Sequence, residues 1–352
     1  MFETSNFSIG DREIGPENPP FVIAEISANH GGSLEAALEI VDAAAAAGAS
    51  AIKMQHYKPE TITVRSPLPE FKVSGGTLWD DQQLFDLYAT AMTPWEWTEA
   101  IFDRAHQRGI QCFSSPFDTT AVDFLESHNV SAYKVASFEL VDLPLIEYIA
   151  QTGRPMIMST GMATLEEIDA AVTAARSAGA QSIALLRCNS GYPANPSEMD
   201  LKAIPFMRER WGCQIGLSDH TLSSTASIAA VALGATIIEK HIIMSRSDGG
   251  PDADFSCEPQ EMKSLIDEVN TAWTAMGTTR FGPSDRELSS KAFRRSLRTS
   301  QALTKGTLVS AANVRSMRPA GGLPPHFITE LIGRRINQDL EVGAAITDDV
   351  LE

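Results

Sequence analysis

The sequence has few cysteines, fewer cationic than anionic residues and no long apolar run. Its four cysteines in 352 residues form no C-x-x-C pair, which argues against a disulfide framework and a structural zinc site. Lys and Arg number 28 against 45 Asp and Glu, and the formal charge of −17 repels nucleic-acid phosphates. The chain also lacks a bilayer-length apolar stretch, a secretory signal pattern, a G-x-G-x-x-G motif and a P-loop. We therefore expect a cytoplasmic protein in which any anionic substrate needs a local cationic pocket.

Between about residue 20 and residue 275, short apolar runs alternate with longer amphipathic runs such as Leu34–Ala47. This alternation is typical of repeated β-α units around a parallel sheet. Eight units predict the α/β class, as a TIM (β/α)8 barrel whose chemistry lies at the C-terminal ends of the strands. The predicted strands are Phe21–Glu25, Ala51–Gln55, Gln111–Ser115, Ala132–Ser137, Met156–Thr160, Ser182–Cys188, Gln214–Asp219 and Thr236–His241.

The character of the chain changes after about residue 280. A charged segment with turn signals follows, and beyond it short alternating runs are broken by glycines. We predict a barrel domain over residues 1–284, a linker over 285–299 and a small β-rich domain over 300–352. Within the small domain, a loop rich in glycine and proline carries Arg315 and Arg318. Such a loop is either a solvated turn or a means of presenting an arginine to an active site.

Two histidines lie at the ends of neighbouring predicted strands: His220 directly follows one strand, and His241 is the last residue of the next. Parallel strands end at one rim of a barrel, so the two imidazoles could meet there. Imidazole nitrogen binds borderline divalent metals, and two ligands leave coordination positions open for water and substrate oxygens. Either histidine alone is more often a satisfied core or rim residue. The matching positions, together with the flanking carboxylates Asp219 and Glu239, favour a shared metal or catalytic role.

Almost every predicted strand ends in a polar side chain. Loops begin there, and this alone explains a part of the pattern. It does not explain Lys53 and Lys134, because an isolated buried ammonium group is costly and must be paired or partly neutral. Two lysines at one rim, beside the segment Ser159-Thr-Gly-Met162, indicate a bound phosphate or carboxylate group.

Taken together, the strand-end segments resemble those of the sialic acid synthase family, the N-acetylneuraminate synthase-like enzymes. The resemblance covers nearly the whole chain and implies a TIM barrel followed by a small antifreeze-like (SAF) domain, in a domain-swapped homodimer. Within the family, the chain is most similar to the pseudaminic acid branch, with Phe113-Ser-Ser-Pro-Phe-Asp118 and Gly249-Gly-Pro-Asp252 among the matching segments. The segments that carry the family resemblance are Ala24-Glu-Ile-Ser-Ala-Asn-His30-Gly, Lys53-Met-Gln55, Tyr133-Lys-Val-Ala-Ser137-Phe-Glu139, Ser159-Thr-Gly-Met162, Gly216-Leu-Ser-Asp-His-Thr221, Glu239-Lys-His241 and Arg318-Pro.

This resemblance implies a condensation of phosphoenolpyruvate with an amino sugar, which in the pseudaminic branch is 2,4-diacetamido-2,4,6-trideoxy-L-altrose. His220 and His241 would hold Mn²⁺ or Mg²⁺, which polarises the sugar aldehyde. Glu139 is assigned to activating water and Glu25 to the aldehyde and hydroxyl end of the sugar. The other matching positions are assigned to substrate binding. Those implied for phosphoenolpyruvate are Lys53, Gln55, Lys134, Ser137, Ser159 and Ser218, and those implied for the sugar are Tyr192, Asp252 and, from the partner subunit, Arg318.

One segment departs from the pattern of the family. In Arg187-Cys-Asn-Ser-Gly-Tyr-Pro193, Ser190 stands where the sialic acid branch has Asn, and Arg187 is unusual. By its position in this segment, Ser190 is assigned to substrate binding. Sugar choice can depend on a few loop residues, so N-acetylmannosamine or the legionaminic precursor is an alternative substrate.

Two alternative hypotheses assign a different function to the chain. A Schiff-base aldolase would use Lys134 as its nucleophile, but an imine mechanism does not need the two histidines. A sugar-binding or antifreeze protein would need no catalytic rim. Ice binding requires a flat, weakly charged face, whereas the small domain carries charges such as Arg334, Arg335 and Asp339. We therefore predict an enzyme.

Overall fold

The computed structural model describes residues 5–74, 76 and 78–352 and divides the chain into two compact units, Met1–Gly277 and Thr278–Glu352. The first unit begins with an antiparallel hairpin of β1 (Phe7–Ile9) and β2 (Arg12–Ile14). Its turn contains Gly10 at φ +57, where an added Cβ would lie 2.2 Å from Oε1 of Gln111. Gln111 begins a barrel strand, so the hairpin packs against the N-terminal end of the barrel. Strands of three residues are too short for the sequence periodicity to reveal them.

Eight parallel strands close into a barrel in the order β10-β3-β4-β5-β6-β7-β8-β9, which confirms the predicted fold class. Most residues of these strands are buried, as expected for a parallel sheet covered by helices. The observed strands match the predicted ones to within two residues at each end. They are β3 (Phe21–Glu25), β4 (Ala51–His56), β5 (Gln111–Pro116), β6 (Tyr133–Val135), β7 (Met156–Ser159), β8 (Ile183–Cys188), β9 (Gln214–Ser218) and β10 (Ile237–His241).

Helices surround the barrel, and the first of them shows why the sequence places them where it does. Helix α1 (Leu34–Ala47) is capped by Ser33, whose side chain accepts a hydrogen bond from the Ala36 amide, and it ends at Gly48 in the left-handed conformation. Its predicted bounds are confirmed. Of the described residues, none belongs to a helix long and apolar enough to span a membrane. The helices of this unit are α1 (Leu34–Ala47), α2 (Pro59–Ile62), α3 (Leu84–Ala91), α4 (Thr98–Gln107), α5 (Thr119–Glu126), α6 (Leu143–Gln151), α7 (Leu165–Ser177), α8 (Ala203–Trp211), α9 (Thr225–Ala232) and α10 (Pro259–Met276).

The strand register brings polar side chains together at the rim. His241 pairs with Glu25 across β10 and β3, and Glu25 pairs with Lys53 across β3 and β4. On the other side of β10, Glu239 pairs with Ser218 of β9. Since side chains alternate between the two faces of a strand, the inward set of β10 includes Glu239 and His241.

The second unit has its own apolar core and little regular structure. Strands β11 (Ser296–Thr299) and β12 (Val314–Met317) pair in antiparallel fashion, and a short helix, α11 (Ile328–Leu331), follows. Its predicted β-rich character is confirmed by this pairing and by isolated bridges. The buried residues of this core are Leu297, Leu303, Val309, Val314, Leu331, Ile336, Leu340, Ile346, Val350 and Leu351.

Candidate active site

Thirteen of the fourteen predicted site residues lie at or just beyond the C-terminal ends of the barrel strands. The fourteenth, Arg318, is exposed and directly follows β12 in the second unit. The barrel residues are Glu25, Lys53, Gln55, Lys134, Ser137, Glu139, Ser159, Ser190, Tyr192, Ser218, His220, His241 and Asp252.

A buried network of two carboxylates and two lysines occupies the barrel mouth. Lys53 forms an ion pair with Glu25, and its Nζ lies 3.8 Å from Oε2 of Glu239. Lys134 Nζ lies 3.6 Å from the other oxygen of Glu239, which also accepts a hydrogen bond from Ser218 Oγ at 3.2 Å. Glu239 is therefore the link between the two lysines. Glu239 is not among the predicted site residues, although its alternation with His241 along β10 indicates that it faces inward.

Burial and neighbouring charge act in opposite directions in this network. Burial raises the pKa of Glu25 to about 6, and Lys53 opposes the shift. Burial also raises the pKa of Glu239, but Lys134 and Lys53 lower it below the usual value, so Glu239 is ionised. Burial lowers the pKa of Lys53, whereas Glu239 and Glu25 raise it, and the net shift is upward. Lys53 is therefore a fixed positive charge.

Lys134 differs from Lys53 because its nearest carboxylate is farther away. Its Nζ donates a hydrogen bond to the Val135 carbonyl at 3.2 Å, and burial lowers its pKa below the usual value. An anion beside Lys134 would compensate for that burial, since an opposite charge stabilises the protonated amine. The nearby carboxylates thus compensate only in part for the burial of Lys134, and this lysine is suited to bind an anionic group.

Serine hydroxyls converge next to Lys134. Ser137 Oγ accepts a hydrogen bond from the Gly161 amide at 3.1 Å. A Cβ at Gly161 would lie 2.3 Å from Ser190 Oγ and 2.7 Å from Ser137 Oγ, so only glycine allows these groups to meet. The buried hydroxyls of Ser159 and Ser190 have no hydrogen-bond partner among the described residues. Buried hydroxyls are normally satisfied, and these two could donate to the oxygens of a bound phosphate or carboxylate group.

The two histidine rings lie side by side, with centroids 5.4 Å apart. His220 Nδ1 lies 2.9 Å from the Asn189 carbonyl oxygen. A carbonyl can only accept a hydrogen bond, so Nδ1 is the donor. Nε2 of His220 is then the atom left to bind a metal. Burial lowers the pKa of His241 well below its usual value, so this ring is neutral. Its buried Nδ1 has no hydrogen-bond partner among the described residues and lies 3.9 Å from Oδ2 of Asp252.

This donor set fits a divalent metal held by two imidazole nitrogens. Burial lowers the pKa of His220, but contacts with Cys188 and the Asn189 carbonyl raise it above the usual value, so metal binding at His220 would displace a proton. Across residues 5–74, 76 and 78–352, no group of three or more His, Cys, Asp and Glu side chains is placed to hold a metal. His220 and His241 would each supply one ligand, and water or substrate oxygens would complete the coordination sphere, as in open catalytic sites.

An aromatic wall borders the histidines. The Tyr192 ring lies 4.5 Å from His220 and 5.0 Å from Phe255, between ring centroids. Asp252 is buried, and its Oδ2 accepts a hydrogen bond from the Ala28 amide at 3.3 Å. The loops after β8 and β10 thus place Tyr192 and Asp252 around the imidazole pair.

Gln55 and Glu139 complete the rim. Gln55 Nε2 donates to Ser27 Oγ at 3.0 Å and to Glu25 Oε1 at 3.4 Å. Glu139 lies in the turn after β6, and burial raises its pKa to about 7. Its buried Oε2 has no hydrogen-bond partner within the described part of the chain. A carboxyl group with this pKa can both accept and release a proton near neutral pH.

Two charged residues that attracted notice in the sequence have structural roles. Asp219 forms an ion pair with Lys240 at 3.1 Å and accepts from Ser227 of α9 at 2.7 Å. Arg187 donates to the Met199 carbonyl at 3.0 Å and lies 3.3 Å from Asp200. Neither the Asp219 carboxylate nor the Arg187 guanidinium contacts the network at the barrel mouth. Of the two carboxylates that flank the histidines in the sequence, only Glu239 belongs to that network.

Both parts of the chain match known protein families. The sequence profile of the NeuB family matches residues 40–281, and that of the SAF domain matches residues 294–352. The first match covers most of the barrel, including every strand from β4 to β10. The second covers both strands of the small unit.

Similar proteins cover almost the whole chain. A pseudaminic acid synthase from Campylobacter jejuni is 41% identical over 93% of this chain and 95% of that protein. A pseudaminic acid synthase from Helicobacter pylori is 38% identical over 95% of this chain and 98% of that protein. Among solved structures, an N-acetylneuraminic acid (sialic acid) synthetase from Leptospira borgpetersenii in complex with citrate has a TM-score of 0.73 and 31% identity. That match covers 82% of this chain and 96% of the synthetase.

Proposed function

Because this chain belongs to the NeuB family, we propose that it is a pseudaminic acid synthase. It condenses phosphoenolpyruvate with 2,4-diacetamido-2,4,6-trideoxy-L-altrose and water to give pseudaminic acid and phosphate. The structural observation that supports this assignment is the pair of buried lysines at the barrel mouth. The pseudaminic acid synthases among the relatives support the choice of the pseudaminic acid branch.

The lysines and serines match the charges of phosphoenolpyruvate. Its phosphate and carboxylate groups need cationic partners that the acidic surface does not offer, and Lys53 and Lys134 are both buried at one rim. The buried hydroxyls of Ser159 and Ser190, which have no hydrogen-bond partner among the described residues, support hydrogen bonds to phosphate oxygens. Ser137, which accepts from the Gly161 amide, and Ser218, which donates to Glu239, are assigned to the same proposed subsite. Gln55 lies next to this subsite and donates a hydrogen bond to Glu25.

His220 and His241 are the proposed holders of a divalent metal, Mn²⁺ or Mg²⁺. When bound, such an ion supplies Lewis acidity that polarises the aldehyde oxygen of the sugar. The protein residues orient the sugar relative to phosphoenolpyruvate. Asp252 and Tyr192 border the imidazoles and are proposed to contact the sugar, so that its aldehyde carbon faces the enol carbon of phosphoenolpyruvate.

The two glutamates are proposed to move protons. Bond formation between the enol carbon and the aldehyde carbon leaves positive character at C2 of phosphoenolpyruvate. Glu139 takes one proton from the water that adds at C2, and the former aldehyde oxygen gains a proton to become a hydroxyl. The C2–O bond to phosphate then breaks as the added hydroxyl becomes the C2 carbonyl, and the proton of that hydroxyl leaves with the phosphate. Glu25, with a pKa of about 6 and an ion pair to Lys53, serves the aldehyde and hydroxyl end of the sugar.

The Glu139→Gln variant tests the proposed base. We expect kcat to fall by about 10²- to 10⁴-fold, the usual contribution of general base catalysis. In the wild-type enzyme, kcat should rise with pH through about 7 because the ionised carboxylate is the active form. The variant should lose this limb, which a pH profile of phosphate release measures.

Thermal unfolding of the same variant provides the control. Burial raises the Glu139 pKa above its value in the unfolded chain, so ionisation costs stability as pH rises from about 4.5 through about 7. Glutamine removes this cost. The variant should be more stable than the wild type at pH 8 and nearly equal to it below pH 4.5. An unchanged pH limb, or a variant less stable at pH 8, would contradict the role and the environment assigned to Glu139.

We propose that the enzyme acts as a domain-swapped homodimer in which Arg318 reaches the sugar of the partner subunit. Support comes from each unit separately. The barrel rim exposes Phe138, Val141 and Met162, an apolar surface suited to being covered by another protein surface. In the small unit, Arg298 donates hydrogen bonds to the carbonyls of Pro319 and Ala320 at 2.8 and 2.6 Å. This arginine braces the loop that presents Arg318.

Mixed dimers test the action in trans. Arg318→Ala and His241→Ala are each expected to be inactive, but a mixture refolded or co-expressed should regain part of the activity. One rim of a mixed dimer would contain an intact His241 and receive an intact Arg318 from its partner. Phosphate release measured against mixing ratio gives the result. If every mixture stays as inactive as its components, the arginine does not act in trans.

The four cysteines are free and buried, which suits a reducing compartment, and we place the enzyme in the cytoplasm. Phosphate release from phosphoenolpyruvate in the presence of Mn²⁺ tests the function. The assay compares the diacetamido-altrose, N-acetylmannosamine and the legionaminic precursor. We expect turnover with the altrose sugar alone. Preference for another of the three sugars would refute the proposed substrate, and release with none would refute the enzyme class.

A further inference from the structure

A tryptophan outside the predicted site touches both loops that carry the proposed sugar contacts. Trp79 Nε1 donates a hydrogen bond to the Pro251 carbonyl at 2.9 Å, next to Asp252. Its ring lies 5.5 Å from the Tyr192 ring, between centroids. Trp79 thus connects the segment after β4 with the loops after β8 and β10.

The segment that carries Trp79 is itself held at its base. Lys72 bridges Gln83, the Val73 amide donates to the Gln82 carbonyl at 2.8 Å, and Lys72 pairs with Asp81 at 2.7 Å. The tryptophan is therefore presented by a hairpin-like segment, and its two contacts determine what it positions. Trp79 extends the aromatic wall of Tyr192 and Phe255 beyond the histidines.

We propose that Trp79 is a positioning and specificity residue of the sugar subsite, an inference that rests on the proposed function. Its indole N–H holds the Asp252 loop, and its ring holds Tyr192 and presents an apolar surface to the methyl groups of the diacetamido, 6-deoxy sugar. Aromatic faces suit methyl groups and offer no partner to an added hydroxyl. Trp79 contacts the two loops assigned to the sugar, so its loss should affect the sugar more strongly than phosphoenolpyruvate.

The Trp79→Ala and Trp79→Phe variants test this role through separate KM values for the two substrates. Loss of one aromatic contact and one hydrogen bond should raise KM for the sugar by about tenfold to a hundredfold, with KM for phosphoenolpyruvate unchanged. Trp79→Phe keeps a ring but loses the N–H and should lie between. Preference for the 6-deoxy sugar over its 6-hydroxy analogue should shrink in Trp79→Ala.

A matched control is available on the same unit. The half-buried Trp273 of α10 also donates its indole N–H to a proline carbonyl, that of Pro16, at 2.9 Å. Trp273→Ala should lower stability without separating the two KM values. Equal increases in both KM values for Trp79→Ala, or an unchanged KM for the sugar, would overturn the inference. Absence of turnover in the wild-type enzyme with this sugar would instead refute the proposed function.

Discussion

Replacing Lys53 with methionine is expected to lower kcat/KM for phosphoenolpyruvate by about 10²- to 10³-fold, the usual effect of removing one preorganised electrostatic contact. Methionine fills a similar volume but carries no charge. It also leaves the buried carboxylates of Glu25 and Glu239 without their shared cation. Breaking a buried ion pair in this way typically costs about 3–5 kcal/mol of unfolding free energy.

The loss of stability should depend on pH in a defined direction. In the wild-type enzyme the pKa of Glu25 is about 6, and removing Lys53 raises it further. The variant should therefore be least stable at alkaline pH and recover as Glu25 takes up a proton on acidification. Thermal unfolding from pH 5 to pH 8 measures this effect.

A double variant separates binding from stability. Adding Glu25→Gln to Lys53→Met removes one of the stranded charges, so stability at pH 8 should recover in part while activity stays low. As a surface control, Lys263 pairs with Asp267 at 2.9 Å on α10, and Lys263→Met should change neither property much. Wild-type kcat/KM in Lys53→Met would show that phosphoenolpyruvate does not bind at this lysine.

Replacing His241 with alanine is expected to abolish binding of the divalent metal and to lower kcat by about 10³-fold or more. The site offers two imidazoles, so losing one leaves a single protein ligand. Lewis-acid stabilisation is worth several kcal/mol, and each 1.4 kcal/mol corresponds to about tenfold in rate. Binding of Mn²⁺ measured by calorimetry provides a readout that does not depend on turnover.

Two further variants guard against a folding artefact. His241→Gln nearly preserves the side-chain volume beside Phe255, whose ring lies 4.9 Å from His241, and should also lose metal affinity. His106 is exposed on α4, and His106→Ala should leave both metal binding and activity unchanged. If both His241 variants bound Mn²⁺ with wild-type affinity, the imidazole pair would not be the metal site.

The barrel could be predicted from sequence because its strands are short apolar runs separated by amphipathic helices. Polar side chains such as Lys53 and His241 stand where those runs end, and parallel strands bring such ends to one rim. The hairpin of β1 and β2 could not be found, since three residues show no period. Strand alternation alone would have identified Glu239 as inward, but its contacts with both lysines depend on the closed barrel.

Loop contacts show the limit of sequence reasoning more clearly. Trp79 is more than a hundred residues from Tyr192 and Pro251, and no spacing rule predicts that it touches both. The same holds for Gly161, whose missing Cβ allows Ser137 and Ser190 to converge. Arg187 is unusual at its position in the family pattern, and its guanidinium donates a hydrogen bond to the Met199 carbonyl. Such assignments require the three-dimensional arrangement of the loops.

The fate of the bridging oxygen of phosphoenolpyruvate tests the central claim most directly. The substrate is labelled with heavy oxygen in the C2–O–P bridge and converted with the diacetamido-altrose, and the phosphate is examined by mass spectrometry. If water adds at C2 and the C2–O bond breaks, as proposed for Glu139 and the lysine-lined subsite, the released phosphate carries the label. Unlabelled phosphate would show that the P–O bond breaks instead and would contradict the proposed chemistry of this site.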